Sequence, residues 1–376
     1  MKRWISYVLL IILTILPVGC TSRAEGKGES KNEFDMMKAI STTENYMKYL
    51  IDNNVEGISK LYASDLKGEA KPQDPQSLKT VGYNIDEISQ TGMEGSIKVK
   101  VVRSNNSGSP GSSCSLDEYT IKVAKEDGKY KIKDIKTKPM KEATAVSNQI
   151  REKNRDNVKT DPIISMDDIP QYAFSKVDRG SIDKLLVSKD GFGPMNYGYD
   201  GDRIAISTMG KNSLLAMVDI EESMQTQGGG GGGQGGQGGG GGQGGQGAQG
   251  GQGGATSGRE KPIGKNITIV DVFKDSQVQS IAFAQDRKIV AVQYLAPTTG
   301  IGINLYNTRS GDPVEAKLID MKLKGKVDVT IHYFEKGYLQ YRVTPRTGFE
   351  NDPNAQSAKG SWKLDLEKKK TKKVET

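Results

Sequence analysis

The sequence predicts an α+β domain followed by an all-β domain, both behind an N-terminal export segment. Three observations carry that reading. Residues 34 to 62 set apolar side chains at helical spacing, residues 97 to 133 alternate apolar with polar side chains, and Asp190 to Leu366 repeat a strand, turn, strand pattern three times. A chain of 376 residues has room for about two such domains beyond the export segment.

Lys2 and Arg3 precede an apolar run from Trp4 to Leu16, which ends at Pro17-Val18-Gly19-Cys20. Positive charge holds the start on the cytoplasmic side, and the run is shorter than the roughly 20 residues a comfortable span needs, so residues 1–19 read as a signal peptide. Gly19 directly before Cys20 resembles the lipobox of bacterial lipoproteins, with Pro17 standing where that family usually has Leu. The resemblance implies that the Cys20 thiol takes a diacylglyceryl group, that palmitate labels the protein, and that the chain is lipid-anchored at the extracytoplasmic face of the cell membrane. Each buried methylene adds about 0.8 kcal/mol to such an anchor, and two chains suffice where one is marginal.

Beyond Cys20 the only cysteine is Cys114 and the only histidine His332, so neither an internal disulfide nor a four-ligand Cys/His zinc site is available. The formal charge of +7 includes Lys2 and Arg3, leaving +5 after them. Acidic and basic residues are mixed except at Lys368-Lys369-Lys370 and Lys372-Lys373. Such a run can lie on anionic lipid or bind a polyanion. Its plainer reading is a solvated tail, and no nucleic-acid partner is expected.

Residues 20–33 are small and polar and read as a flexible tether. Met37, Ile40, Met47, Leu50 and Ile51 then fall largely on one side of a helix. A shorter helix follows, with Asn53 as its N-cap, Glu56 three residues later, and Val55, Ile58, Leu61 and Tyr62 as its buried stripe. Ile97, Val99 and Val101 alternate with lysines, as do Tyr119, Ile121 and Val123 with Thr120 and Lys122, and Asp127-Gly128 turns the chain into Tyr130-Lys131-Ile132. An Asp-Gly pair between two period-2 segments is a strong hairpin signal, and lysines at alternate positions put one sheet face in water.

This order of helix, short helix and antiparallel sheet resembles the nuclear transport factor 2-like superfamily, the cystatin-like α+β roll, over residues 34–140. The residues that carry it are Tyr46-Met47-Lys48-Tyr49-Leu50, the stretch from Asn54 to Leu66, and Glu118 to Val123 with Gly128 to Ile132. The resemblance implies a conical cavity between sheet and helices. Some of its members use an Asp or a Tyr there, and Tyr46, Tyr62 and Asp65 are the candidates in this sequence.

Lys141 to Val158 is charged, with Ala143, Val146 and Ile150 as its regular apolar spacing, and is expected to be a connecting helix. With the extended segment between Pro162 and Pro170 it makes a linker over 141–178. The β-rich domain occupies 179–376. Its three units run through Arg203-Ile204-Ala205-Ile206 and Leu214 to Ile220, through Gln279 to Ala284, Lys288 to Val292 and Ile303 to Thr308, and through Val329 to Phe334, Tyr338 to Val343 and Trp362 to Leu366. Each looks like a propeller blade of the WD-repeat or lactonase kind. Three blades are fewer than a closed propeller normally needs, so a partial propeller or a sandwich is expected.

Between two of these strands runs a Gly and Gln tract within 226–260. Glycine loses the most backbone entropy on ordering and no apolar side chain offsets that cost, so disorder is expected there. Such an insertion is tolerated on an exposed turn, which marks the connection between Ile220 and Ile267 as solvent-facing.

The motifs of several enzyme classes are missing. A serine or cysteine hydrolase usually needs a histidine base, and His332 sits in an alternating strand where a structural role is the simpler account. Gly264-Lys265 is followed by Asn266 rather than Ser or Thr, and Gly191-Phe192-Gly193 by Pro194, so neither is a nucleotide loop. Asp200-Gly201-Asp202 is a hairpin turn more readily than a calcium loop. The sequence therefore predicts no enzyme, no cofactor and no metal. It predicts a membrane-anchored binding or assembly module for a protein or glycan partner in the cell envelope. The alternative is a small-ligand carrier or enzyme using the cavity of the roll.

Overall fold

The structure is a computed structural model and describes residues 34–73, 77–105, 112–155, 159–177, 183–221 and 260–374. Signal segment, Cys20 and Gly/Gln tract lie outside these residues. Met36–Thr376 form one compact unit.

Helix α1 (Met36–Ile51) buries Ala39, Thr42, Thr43, Tyr46 and Met47. That stripe is rotated from the expected one, and Met37 is 71% exposed because Ala39 takes the inward position. Asn53 does not cap the next helix. It adopts a left-handed φ of 51° that closes α1, a conformation asparagine tolerates. The cap is Asn54, whose side chain accepts from the Gly57 N–H at 2.8 Å. Helix α2 (Val55–Leu61) crosses so close to α1 that a Cβ at Gly57 would lie 2.8 Å from the Tyr49 ring.

Six antiparallel strands follow in sequence order: β1 (Lys79–Thr91), β2 (Glu94–Ser104), β3 (Ser113–Glu126), β4 (Lys129–Val146), β5 (Gln149–Asn154) and β6 (Thr160–Ser165). The turn from β3 to β4 has positive φ at both Asp127 and Gly128, the primed geometry the dipeptide signalled. Ile97, Val99, Val101, Ile121, Val123 and Ile132 are fully buried.

The expected connecting helix over 141–158 is absent. Lys141–Val146 complete β4, and β5 pairs with them through Thr144↔Arg151 and Ala145↔Ile150. A boundary at residue 140 would cut β4. Val102, Cys114, Leu116, Ala143 and Ile150 belong to the same apolar cluster as Phe192, Ile204, Val218 and Tyr306.

Strands β7 (Tyr172–Ala173) and β8 (Leu185–Leu186) form a small hairpin. A second sheet runs β9 (Phe192–Tyr197), β10 (Arg203–Thr208), β11 (Ser213–Ile220) and β12 (Gly264–Phe273). A third holds β13 (Gln277–Phe283), β14 (Ile289–Ala296) and β15 (Gly300–Asn307). A fourth holds β16 (Val327–Glu335), β17 (Tyr338–Pro345), β18 (Gly360–Asp365) and β19 (Thr371–Lys373), with helix α3 (Pro353–Ala358) between β17 and β18.

The chain is thus mostly β, in a propeller-like arrangement of four blades. Three come from the region where the sequence predicted three units, and the six-stranded sheet is the remaining one. The first strands meet at the centre: β9 touches β13, β13 touches β16, and β16 touches β1, while β2 and β3 reach β9. Side chains stitch the blades together. Ser104 Oγ donates to the Met195 carbonyl at 3.0 Å, Asn196 Nδ2 to the Ile281 carbonyl at 2.9 Å, and Tyr306 to Asp271 at 2.6 Å.

Two further expectations meet the structure here. Ile220 and Gly264, which flank the Gly/Gln tract, are register partners in the β11–β12 hairpin. The terminal lysines are no solvated tail, because Lys372 and Lys373 pair with Lys363 and Trp362 as strand β19.

Two outcomes follow from this architecture. Glu152 is 1% exposed, lies 3.6 Å from Lys141 Nζ, and accepts from the Tyr197 hydroxyl at 2.7 Å. Tyr197→Phe is expected to lower unfolding free energy by about 1.5–3 kcal/mol, the usual range for a bond to a charged group, in denaturant titration. Replacing the segment between Glu221 and Glu260, which the sequence predicts to be disordered, by a short hairpin turn is expected to raise stability by about 2 kcal/mol, since an eightfold shorter closure costs that much less entropy. Equal midpoints for parent and shortened chain would argue against an entropic cost at this hairpin.

A central polar cavity and the seam beside it

A cavity of about 600 Å³ opens where three blades converge. Thr208 and Ser213 line it from the second blade, Gln277, Gln279, Ser280 and Gln293 from the third, and Thr330 with Ile331 from the fourth. Its other lining residues are Pro194, Met209 and Val278, so the wall carries hydroxyls, amides and apolar groups without a charged side chain. Such a wall suits a neutral ligand with its own donors and acceptors.

The amides are ordered by the fold. Gln293 donates from Nε2 to Gln279 Oε1 at 3.1 Å, and its Oε1 accepts the Ile331 N–H at 2.9 Å, tying the third blade to the fourth. Among the described residues the Gln279 amide N–H groups have no protein acceptor. Asn196, two residues beyond Pro194 on β9, is 2% exposed, and its Oδ1 has no hydrogen-bond partner. Sequence reasoning missed these groups because isolated Gln, Ser and Thr at strand starts look like ordinary turn-proximal polarity.

The residues singled out from the sequence are placed differently. Tyr46 on α1 and Tyr62 after α2 are both buried, with ring centroids 6.1 Å apart. Burial, then the neighbouring Tyr62, pushes the Tyr46 phenol well above its ordinary range. Asp65 is exposed and shares no described contact with either ring. Besides Glu152, the buried acid of this blade is Asp117, 2% exposed, with Arg103 Nε donating to its Oδ2 at 2.6 Å and Oδ1 unpartnered. Burial raises its carboxyl while the Arg103 guanidinium pulls it down. Ser115, beside it on β3, helps hold that carboxyl down, and Thr43 Oγ1, on the buried face of α1, lacks a partner.

A second cluster forms the seam between α1 and the fourth blade. His332 Nε2 donates to Asp52 Oδ1 at 2.5 Å, and Arg342 donates to the same oxygen at 3.0 Å. Lys48 pairs with Glu335 at 3.1 Å, and the Tyr333 ring lies edge-on to His332 at 4.5 Å. Among the described residues no group of three or more His, Cys, Asp or Glu side chains is placed to hold a metal ion. No described helix is long and apolar enough to cross a membrane.

No family model matches the chain, and no curated protein matches it. Solved structures do. TolB from Acinetobacter baumannii is similar at 10% identity over 88% of this chain and 68% of its own, with a TM-score of 0.29. A puromycin-hydrolysing peptidase from Mycobacterium tuberculosis is similar at 7% identity and a TM-score of 0.23, over 78% of this chain and 52% of its own, so this chain spans about half its length. The β-propeller domain of Cps50 (Swd1) from Myceliophteria thermophila is similar at 8% identity and a TM-score of 0.25, over 70% of this chain and 96% of that domain. Likenesses this distant carry no argument about activity. Enzymes stand among the matched structures, however, and the expectation that the chain is not an enzyme is withdrawn.

The seam gives a pH dependence with a definite sign. Burial holds His332 below its ordinary value of 6.5, with Asp52 opposing the shift and Arg342, 3.2 Å away, reinforcing it. Between the depressed folded value and 6.5 the unfolded chain takes up a proton that the folded chain refuses. Stability therefore rises with pH through that window and falls as the solution is acidified through it. The melting temperature is expected to be higher at about pH 7.5 than at about pH 5.5, and His332→Asn to shrink that difference. An unchanged difference in the variant would assign the acid sensitivity to other groups.

Proposed function

We propose that the chain is an extracytoplasmic binding or assembly module, fastened to the cell membrane through Cys20, that engages an uncharged segment of an envelope protein in its central cavity. The observation that carries the reading is the cavity wall. Three blades contribute Gln, Ser and Thr side chains, and the amides pair with peptide N–H and C=O groups in either sense. The Lys2-Arg3 start, the apolar run and Gly19-Cys20 support export and anchoring. The helix, helix, sheet order of residues 34–140 supports a nuclear transport factor 2-like origin for the first blade.

A second reading rests on a separate observation. Asp117 Oδ1 and Thr43 Oγ1 are buried without partners. Buried polar atoms left unpaired cost free energy, and a small polar ligand held between α1 and the sheet would satisfy them. On that reading the first blade is a small-ligand carrier or an enzyme.

Both arms of the first reading are testable in cells. Radiolabelled palmitate is expected to enter the parent and not Cys20→Ala. A photo-crosslinking residue at Gln277, at the cavity mouth, is expected to capture a discrete protein partner, whereas one at Arg309, remote from the cavity lining, is not. Capture at both positions, or at neither, would remove the cavity from the proposal.

A further inference from the structure

Strands β18 and β19 and the turn between them are strongly basic. Between Lys359 and Lys373 stand seven lysines, at 359, 363, 368, 369, 370, 372 and 373, against Asp365 and Glu367. An equal surplus lies in Lys129–Lys141, six lysines against Asp134, but there it is spread along one extended strand, whereas five of the seven here fall within six consecutive residues. The segment is a built hairpin. Asp365 Oδ1 accepts the backbone N–H groups of Glu367 and Lys368 at 3.0 and 2.8 Å, and Lys369 takes a left-handed φ of 56°. The Asp365 carboxylate is thereby engaged in shaping the turn that carries Lys368, Lys369 and Lys370. Those three and Lys372 and Lys373 are exposed, and among the described residues none pairs with a carboxylate. Strand β19 is the outermost of its blade, so the hairpin is a rim of the molecule. Lys363 on the neighbouring strand stands 4.8 Å over the Tyr338 ring.

From this density of exposed lysines on one turn and its edge strand we infer that the β18–β19 hairpin is a docking surface for anionic phospholipid headgroups, setting the orientation of the anchored chain. The inference rests on the membrane-anchored reading for its choice of lipid over a soluble polyanion. Residues 21–33, at no more than about 3.6 Å each, keep the folded unit within roughly 50 Å of the bilayer, so anionic headgroups are present at high effective concentration. Each lysine near such a surface strengthens partitioning about fivefold, and salt screens the attraction over about a Debye length.

The test uses the full chain, unlipidated, in sedimentation with phosphatidylcholine vesicles and with vesicles in which a third of the lipid is phosphatidylglycerol. The export segment, with Lys2 and Arg3, adds its own preference to parent and variants alike, so the hairpin contact is read from the change in the ratio between parent and hairpin variant. The anionic vesicles are expected to bind at least about tenfold more, with the difference lost at high salt. The variant Lys368→Gln, Lys369→Asn, Lys370→Gln, Lys372→Gln, which spares Lys373 and its bond to the Ser357 carbonyl, is expected to lose the greater part of that difference while keeping the parent melting temperature. A control, Lys133→Gln, Lys136→Gln, Lys261→Gln, Lys274→Gln, is expected to keep it.

Equal partitioning on both vesicles, or an unchanged preference in the hairpin variant, would overturn the inference. So would displacement by inorganic polyphosphate at phosphate concentrations below that of the lipid, which would assign the hairpin to a soluble polyanion. Aggregation of the variant with its preference intact would assign the lysines to shielding an open strand edge. Failure here leaves the palmitate result standing, and absence of palmitate leaves the vesicle ratio readable.

Discussion

Closure of the ring between β1 and β16 is the constraint on which the other features depend. The three blades from β9 to β19 form an open fan, and an open fan leaves the inner faces of β9 and β16 in water. The six-stranded sheet fills the gap, meeting β9 with β2 and β3 and β16 with β1. The buried side of that last junction is Tyr83 on β1, 1% exposed and pushed far up by burial, with Tyr333 and Glu335 of β16 beside it. Solvent-accessible ion pairs such as Lys48–Glu335 contribute about 0–1 kcal/mol each, so apolar burial closes the ring and the charged pairs fix its register. Asp52 and His332 meet across 280 residues of sequence, so forming the seam orders most of the chain at once.

The sequence was most informative where a local rule decides the backbone. Asp127-Gly128 marked its hairpin because few residues accept two positive φ values in succession, and the period-2 runs on either side located β3 and β4. It misled where burial is polar. Over Lys141–Val158 the spacing of Ala143, Val146 and Ile150 mimics one side of a helix, yet the inward residues of β5 are Ile150 and Glu152. A buried glutamate on a strand breaks the apolar alternation that would have identified it. The Tyr197 hydroxyl from the second blade and Lys141 from the neighbouring strand help make that burial tolerable.

The same limit hid the cavity and relocated the acid. Asp65 drew notice as an acid close to two tyrosines in sequence, and the chain carries it outward immediately after Tyr62. Asp117 lies in an alternating strand where an acid would ordinarily face water, but the strand is roofed by α1 on one side and by the second blade on the other. Its burial is a tertiary fact with no local signature. Likewise Gln279 and Gln293 line a shared cavity only because two strands pair side by side beneath a third blade. The division into three units was legible, and the fourth was not, because its strands resembled a different fold before the ring was seen to need them.

Placement within each blade explains why insertion, charge and binding groups do not interfere. In the second sheet β9 is innermost and β12 outermost, and Ile220 and Gly264, which flank the Gly/Gln tract in sequence, lie on β11 and β12 away from β9. In the fourth sheet β16 is innermost and carries Thr330 and Ile331 to the cavity, while the lysines occupy β19 and its turn. An inner strand has neighbours on both faces, so a substitution there moves the cavity wall and the seam together. An outer strand has one ladder partner and an open edge, and can take charge or extra length at the cost of that one ladder. The run of lysines consequently falls on a strand that does not close the ring.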